Sequence, residues 1–336
     1  MRSIDLISER SDPLDTNQFG YSYARNTMLE GLERDEWDVL DTDSPFAFHF
    51  TSPLGFRPVR GKYNVLYTMW ESDSIDEQFK IHLHEADLII VPTKYCEKVF
   101  SQYTDRPVLI SPLGVDTKSF QYRKRQMPKG RPFRFFWCGA CNPRKGWESL
   151  ITLWMSTFIK TRSCELYLKT TYAGCEMMTD RNMILDSRVL DREDLHKLYY
   201  DADCFVFPHS GEGFGLTLAE AMASGLPCIT TQHSGVLDFT SPHTVRYVGY
   251  EMTDRQVQSR TLPSGGVTIS APQPDLQECV DAMEWVIKNN QAATKMARAG
   301  SRTIHRNFSW ESAGAKFSEL LEHELPKLTK LPPLAA

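Results

Sequence analysis

Short apolar runs bounded by turn-forming residues recur along the chain. Phe133–Cys138 and Phe205–Pro208 read as buried strands, and Val65–Glu71 as a strand that ends at a polar tip. Phe46–Phe50 ends in the same way, at His49. After the Phe205 run, Leu216, Ala219 and Ala223 keep helical spacing, Gly225 and Pro227 stop the helix, and Cys228 to Thr231 begins another strand. This strand, glycine loop, helix and strand together predict a right-handed parallel crossover. Leu195, Leu198 and Tyr199 mark another helix, Leu276, Val280, Met283 and Ile287 a third, and Trp310, Phe317, Leu320 and Leu321 a last one. Phe19-Gly20-Tyr21 followed by Met28, Leu29 and Leu32 predicts a glycine loop opening an amphipathic helix.

The crossover carries the chain's most specific chemistry. Glu212 and Glu220 stand eight positions apart in Gly211-Glu212-Gly213-Phe214-Gly215-Leu216-Thr217-Leu218-Ala219-Glu220. Gly213 and Gly215 let an anion approach the backbone, and the helix start offers free N–H groups and a positive dipole end. Glu212 in the loop is placed to accept hydrogen bonds from hydroxyls beyond a diphosphate. Glu220, about a turn into the helix, is placed to hold a vicinal diol such as a ribose. A nucleotide-sugar pocket is therefore the expectation.

These residues resemble the retaining, GT-B-fold nucleotide-sugar glycosyltransferases of family 4, whose signature is two glutamates separated by seven residues, a small-residue helix and a Gly-x-Pro turn. The resemblance runs over about residues 65–325. Ala86–Thr93 looks like the family's last N-domain strands, Ser111–Asp116 like its domain-joining Gly-Val-Asp segment, and Arg144-Lys145-Gly146 like its phosphate-binding turn. Asn307–Trp310 looks like the start of its C-terminal helix. The fold implied is α/β GT-B, two Rossmann-like doubly wound parallel-sheet domains facing a cleft, with a C-terminal helix crossing back to the first. The bounds expected are 1–127 for the acceptor-side domain, 128–305 for the donor domain and 306–336 for the returning helix. The function implied is transfer of a sugar from a UDP-, GDP- or ADP-linked donor to an acceptor hydroxyl, with retention.

The resemblance also assigns roles. Lys145 and Arg144 would meet the phosphates and Glu212 the sugar. Backbone N–H groups of Gly213, Phe214, Gly215, Leu216 and Thr217 would meet the diphosphate, and Glu220 the ribose. The turn at Leu190 would lie against the base and Gly20 across the cleft, with His49 or Glu71 beside the reacting sugar; taken alone, His49 reads better as a satisfied structural histidine. The family places an arginine directly after the first glycine of the phosphate loop. Here that position is Ala140, and Arg144 is the alternative source of that charge.

Composition and charge narrow the partners. The 336 residues are 41% hydrophobic and 24% charged, as in ordinary globular proteins. Residues 1–127 carry 15 Lys+Arg against 20 Asp+Glu, and the remainder balances 23 against 23. Neither half has the basic excess of a polyanion binder. The Tyr122–Arg134 stretch, rich in Lys, Arg, Pro and Gly, is expected to be a solvated linker. No apolar run reaches membrane-spanning length, and the eight cysteines lack framework spacing. A cytoplasmic enzyme is the economical expectation. The acceptor stays open: glycan, lipid, protein, small molecule or modified nucleic-acid base.

Other readings compete. Cys138-Gly139-Ala140-Cys141 mimics a redox dithiol, but its flanks continue the α/β pattern. Asp41-Thr42-Asp43 mimics a metal-holding Asp-x-Asp, but too little chain precedes it to build a nucleotide-binding sheet, so no obligatory metal or cofactor is expected. A nucleotide-sugar-binding subunit scaffolding a partner transferase, or an NDP-sugar epimerase on the same fold, are the functional alternatives.

Overall fold

The computed structural model describes residues 2–7, 21–75, 77–80, 83–170, 177–257, 267–330 and 332–334. The first sheet holds β1 (Asp5–Ile7), β2 (Phe46–Phe50), β3 (Tyr63–Tyr67), β4 (Leu88–Val91) and β5 (Val108–Ile110), all parallel and in chain order. β2 and β4 are buried along their whole length, and their sequences do not alternate: β4 is an unbroken apolar run and β2 is interrupted only by His49. The helices α1 (Tyr21–Arg34), α2 (Glu77–Lys80) and α3 (Lys94–Phe100) belong to this half. The expectation placed on Gly20 falls outside the described residues.

The second sheet is built from β6 (Phe133–Cys138), β7 (Cys164–Lys169), β8 (Met177–Asp180), β9 (Met183–Asp186), β10 (Cys204–Phe207), β11 (Cys228–Thr231) and β12 (Arg246–Val248). Its order is β12-β11-β10-β6-β7-β9-β8, parallel except for β8 on the edge. From β6 the chain winds outward to one side, and from β10 to the other. The reversal leaves a crevice at the carboxyl ends of these two neighbouring strands, where doubly wound sheets bind ligands. α4 (Trp147–Thr157), α5 (Arg192–Asp201), α6 (Leu216–Ala223), α7 (Leu276–Lys288) and α8 (Asn290–Asn307) accompany this sheet, and β13 (Tyr250–Val257) with β14 (Val267–Pro274) forms a separate antiparallel hairpin.

α9 (Trp310–Leu328) returns to the first half. Gly31 of α1 and Gly314 of α9 allow the close crossing, since a Cβ on Gly31 would lie 3.2 Å from the Gly314 Cα. Trp37 Nε1 donates to Ser318 Oγ at 2.9 Å, and Phe317 packs on Phe48 with ring centres 5.6 Å apart. Gly114 meets the start of α9 so closely that a Cβ there would lie 2.6 Å from Trp310 N. Among the described residues no helix is long and apolar enough to cross a membrane.

Two expectations change. The buried face of α7 is Cys279, Ala282, Met283 and Val286, about one position round from the predicted stripe. Met283 is shared by the two stripes and is fully buried, while Leu276, Val280 and Ile287 are partly buried and pack against the core. The Tyr122–Arg134 stretch is not simply a solvated linker either. Arg125 is buried, and its guanidinium donates to the carbonyls of Tyr199, Tyr200, Ala202 and Ser224. Burial lowers its pKa to about 10. Arg131 grips Asp203 through both terminal nitrogens at 2.6 and 2.9 Å. The basic residues tie the connection to the ends of α5 and α6.

Candidate active site

The loops after β6 and β10 interlock. Asn142 caps the turn Pro143–Lys145, its side chain accepting from Arg144 N, and Gly146 closes the turn at φ +73°. A Cβ on Gly146 would lie 2.0 Å from the Pro208 carbonyl oxygen. No other residue type lets the two loops approach so closely. Ser210 N then donates to Arg144 O at 2.7 Å, which fixes the register of one loop on the other.

Glu212 is the centre of the arrangement. It is buried, and one carboxylate oxygen receives both Lys145 Nζ at 2.7 Å and Arg144 Nη1 at 2.8 Å. Burial works to raise its pKa, but the two cations overcome this and hold it below the ordinary value of 4.5. Arg144 Nη1 also donates to Gly211 O at 2.6 Å. Arg144 and Lys145 thus converge on the same carboxylate oxygen. The loop backbone is held in turn by Glu212 N donating to Ser234 Oγ and by Gly235 N donating to Glu212 O, both at 2.9 Å. Among the described residues no three His, Cys, Asp or Glu side chains are grouped as metal ligands.

The first half reaches this cluster from the opposite side. Arg144 Nη2 donates to Glu71 Oε1 at 3.2 Å, and Gly211 at φ +147° lies so near Glu71 O that a Cβ would come within 2.0 Å. Thr93 Oγ1 donates to Gly213 O at 2.9 Å, Lys94 N to Asp238 Oδ2 at 3.0 Å, and His233 Nε2 faces Asp73 Oδ1 at 3.4 Å. Glu71 and Asp73, beyond the β3 end, therefore face the second sheet's loops.

Further along, Gly215 at φ +100° starts α6 with no side-chain cap. Phe214 lies in the core against Phe239 and Phe308, so only its backbone serves the loop. The Thr217 hydroxyl is buried without a partner, and Leu216 is half-buried. Glu220 is half-buried and accepts from Tyr199 Oη at 2.8 Å. Burial raises its pKa to about 7, against the pull of that hydrogen bond. Leu190 is half-buried beside the exposed Val189, in the turn before α5.

His49 is not brought to the cluster. It lies buried in the first sheet, where its Nε2 pairs with Asn64 Oδ1 at 3.1 Å and its ring packs edge-on against Phe56. Burial lowers its pKa to about 4, so it is a neutral, satisfied core histidine. The surroundings of Cys138 oppose the dithiol reading. Cys138 is buried in β6 and its thiol is pushed up to about 12 by burial, the opposite of a redox thiolate.

Sequence reasoning passed over His209. It is fully buried one residue beyond Pro208, its Nδ1 accepts from Gly211 N at 3.1 Å, and its Nε2 has no partner. Its adjacency to the glutamate loop was the available signal. The Glu71–Arg144 pair was also missed, because only the fold joins positions so far apart.

Two parallel-sheet, Rossmann-like halves whose loops meet at their strand ends, with a returning helix, make this a GT-B fold. Residues 187–303 match the family model of Glycosyl transferases group 1. The chain is 23% identical over 239 residues, 68% of its length, to the Bacillus subtilis (strain 168) protein described as "Uncharacterized glycosyltransferase YqgM". It is 22% identical over 263 residues, 76% of its length, to the MMP alpha-(1->4)-mannosyltransferase of Mycolicibacterium hassiacum. It spans 58% of the length of each. Among solved structures it resembles Anabaena Alr3699/HepE in complex with UDP and glucose, with a TM-score of 0.65 at 13% identity, covering 96% of this chain and 99% of that one. It also resembles the sucrose-phosphate synthase of Thermosynechococcus elongatus, with a TM-score of 0.64 at 16% identity, covering 92% and 80%. These likenesses establish the fold.

Proposed function

We propose that the chain is a retaining glycosyltransferase of the two-glutamate type, transferring a sugar from a UDP-, GDP- or ADP-linked donor to an acceptor hydroxyl in the cleft. The observation that carries this reading is the buried Glu212 carboxylate held by Lys145 and Arg144 at the switch point of the second sheet. An entering diphosphate takes over the two cations. Glu212, released from them, accepts hydrogen bonds from the sugar. The N–H groups of Gly213 to Thr217 at the start of α6 hold the diphosphate, Glu220 the ribose, and the backbone at Leu190 the base. Glu71, already on Arg144, stands beside the reacting sugar.

Catalysis rests on holding donor and acceptor together and on stabilising the departing diphosphate. Two cations and a helix start offset its charge without an obligatory metal. In this reading residues 1–127 form the acceptor side, 128–305 the donor side, and 306–336 the helix that couples them. The UDP complex described for the Anabaena protein and the sugar-transferring relatives support the donor class.

The test is to incubate the chain with each nucleotide sugar and an acceptor library, following nucleoside diphosphate release and product anomer by proton NMR. Consumption of donors of one base, with the donor's anomeric configuration kept and activity lost in Lys145→Ala, is expected. An inverted product, or release unaffected by Lys145→Ala, would overturn the assignment.

A further inference from the structure

His209 presents an unusual balance of hydrogen bonds. Its side chain is wholly shielded from solvent, and its ring lies 5.1 Å from that of Phe207. Nδ1 accepts the Gly211 N–H at 3.1 Å. That bond requires the neutral ring to carry its proton on Nε2. Nε2 is therefore a buried donor, and it has no acceptor. Leaving such a donor unpaired is unfavourable, so the ligand-free protein bears a penalty that an arriving acceptor removes.

The surroundings indicate which acceptor. Glu212, Lys145, Arg144 and His233 are the charged or titratable groups whose fields reach the ring, and the two fixed cations oppose a third positive charge. Burial takes the His209 pKa down to about 3. The ring stays neutral through the physiological range and donates without bringing charge. Phosphate oxygens are anionic, and Lys145 and Arg144 are suited to them. A neutral donor within the field of the Glu212 carboxylate suits a hydroxyl group, which can donate to a carboxylate and accept from an imidazole.

We infer that His209 Nε2–H is a donor to a hydroxyl oxygen of the transferred sugar, making His209 a specificity-determining residue of the donor site. This rests on the nucleotide-sugar reading above and adds to it a recognition contact for the sugar rather than for the nucleotide. It also makes Gly211 a positioning residue, since its N–H selects the tautomer.

Two substitutions separate the ring's two nitrogens. His209→Asn keeps an oxygen that accepts the Gly211 N–H across the same two-residue span, as in an Asx-turn, and removes the distal donor. His209→Gln keeps an N–H at the reach of Nε2. Calorimetric affinities are measured for the nucleoside diphosphate and for the matching nucleotide sugar, with thermal midpoints as the check on folding. His209→Asn is expected to weaken the nucleotide sugar by roughly 3- to 10-fold relative to the bare diphosphate, as for loss of one hydrogen bond, and His209→Gln to recover part of it. Equal weakening of both ligands, or an unchanged ratio in His209→Asn, would overturn the role of Nε2. If wild type binds neither the diphosphates nor the nucleotide sugars, the nucleotide-sugar reading itself falls, and this inference with it.

Discussion

Replacing Glu212 by Gln removes one charge from the centre of the cluster and almost nothing else. Breaking a buried ion pair from one side costs about 3–5 kcal/mol. The cost here is smaller for two reasons. The side chains of Arg144 and Lys145 are 23% and 18% exposed, and Arg144 keeps the Gly211 carbonyl and Glu71. About 2 kcal/mol is the resulting expectation, or about 3 °C in the midpoint for a chain of this size. The pH dependence distinguishes this cause from a packing defect. Glu212 has a folded-state pKa below 4.5, so its contribution is present above that pH and fades as the pH falls through the folded value. Urea unfolding of wild type and Glu212→Gln at pH 7.5 and at successively lower pH reads both quantities. The stability gap should be full at pH 7.5 and shrink below pH 4.5. Bare nucleoside diphosphate should bind the variant at least as well as wild type, since its cations no longer have to leave a carboxylate. A gap independent of pH, or a variant as stable as wild type, would refute the electrostatic argument.

The remaining predictions concern other parts of the site. Glu220 has its pKa raised to about 7, so nucleotide-sugar affinity should strengthen as pH rises from 6 to 8, with proton release visible in buffers of different ionisation enthalpy. Glu220→Gln should flatten that profile. The same raised pKa makes Glu220 a destabilising group that acts progressively between pH 4.5 and 7 and fully above it. Gly146→Ala drives a Cβ to 2.0 Å from the Pro208 oxygen at φ +73°. It should cost about 3 kcal/mol or more through positive-φ strain and separation of the loops, measured by urea unfolding alongside donor affinity. Arg125→Met leaves four carbonyls without their shared donor and should cost about 3 kcal/mol, again by urea unfolding.

Much of the fold is legible in the sequence because parallel strands buried on both faces leave unbroken apolar runs. β10 is marked in this way, β6 is interrupted only by Arg134, and Gly225 and Pro227 mark the end of α6 and so the start of β11. The interlocked glycine loops are legible because positive φ and close backbone approach restrict residue choice. The α7 stripe is legible at Met283 but its rotation is not, because Cys279 and Ala282 on the buried face are small and carry little hydrophobic signal beside Leu276, Val280 and Ile287. Arg125 was misread because a basic side chain looks solvated until four carbonyls are folded around it. His49 at a strand end is open to both a ligand and a structural reading in the sequence, and Asn64 and Phe56, supplied by other segments, satisfy it in the core. His209 was invisible for the opposite reason: its lack of a partner is a property of the folded surroundings, and no local pattern encodes it.

The most direct test of the account is a thermal-shift panel of UDP-, GDP- and ADP-sugars on wild type, Lys145→Ala and Glu220→Ala, each with and without EDTA. A ligand that binds only the native state raises the midpoint by mass action. The account predicts a rise with one base, lost in both variants and indifferent to EDTA. No rise with any nucleotide sugar, or a rise that both variants retain, would contradict a donor site built on Lys145, Arg144, Glu212 and Glu220.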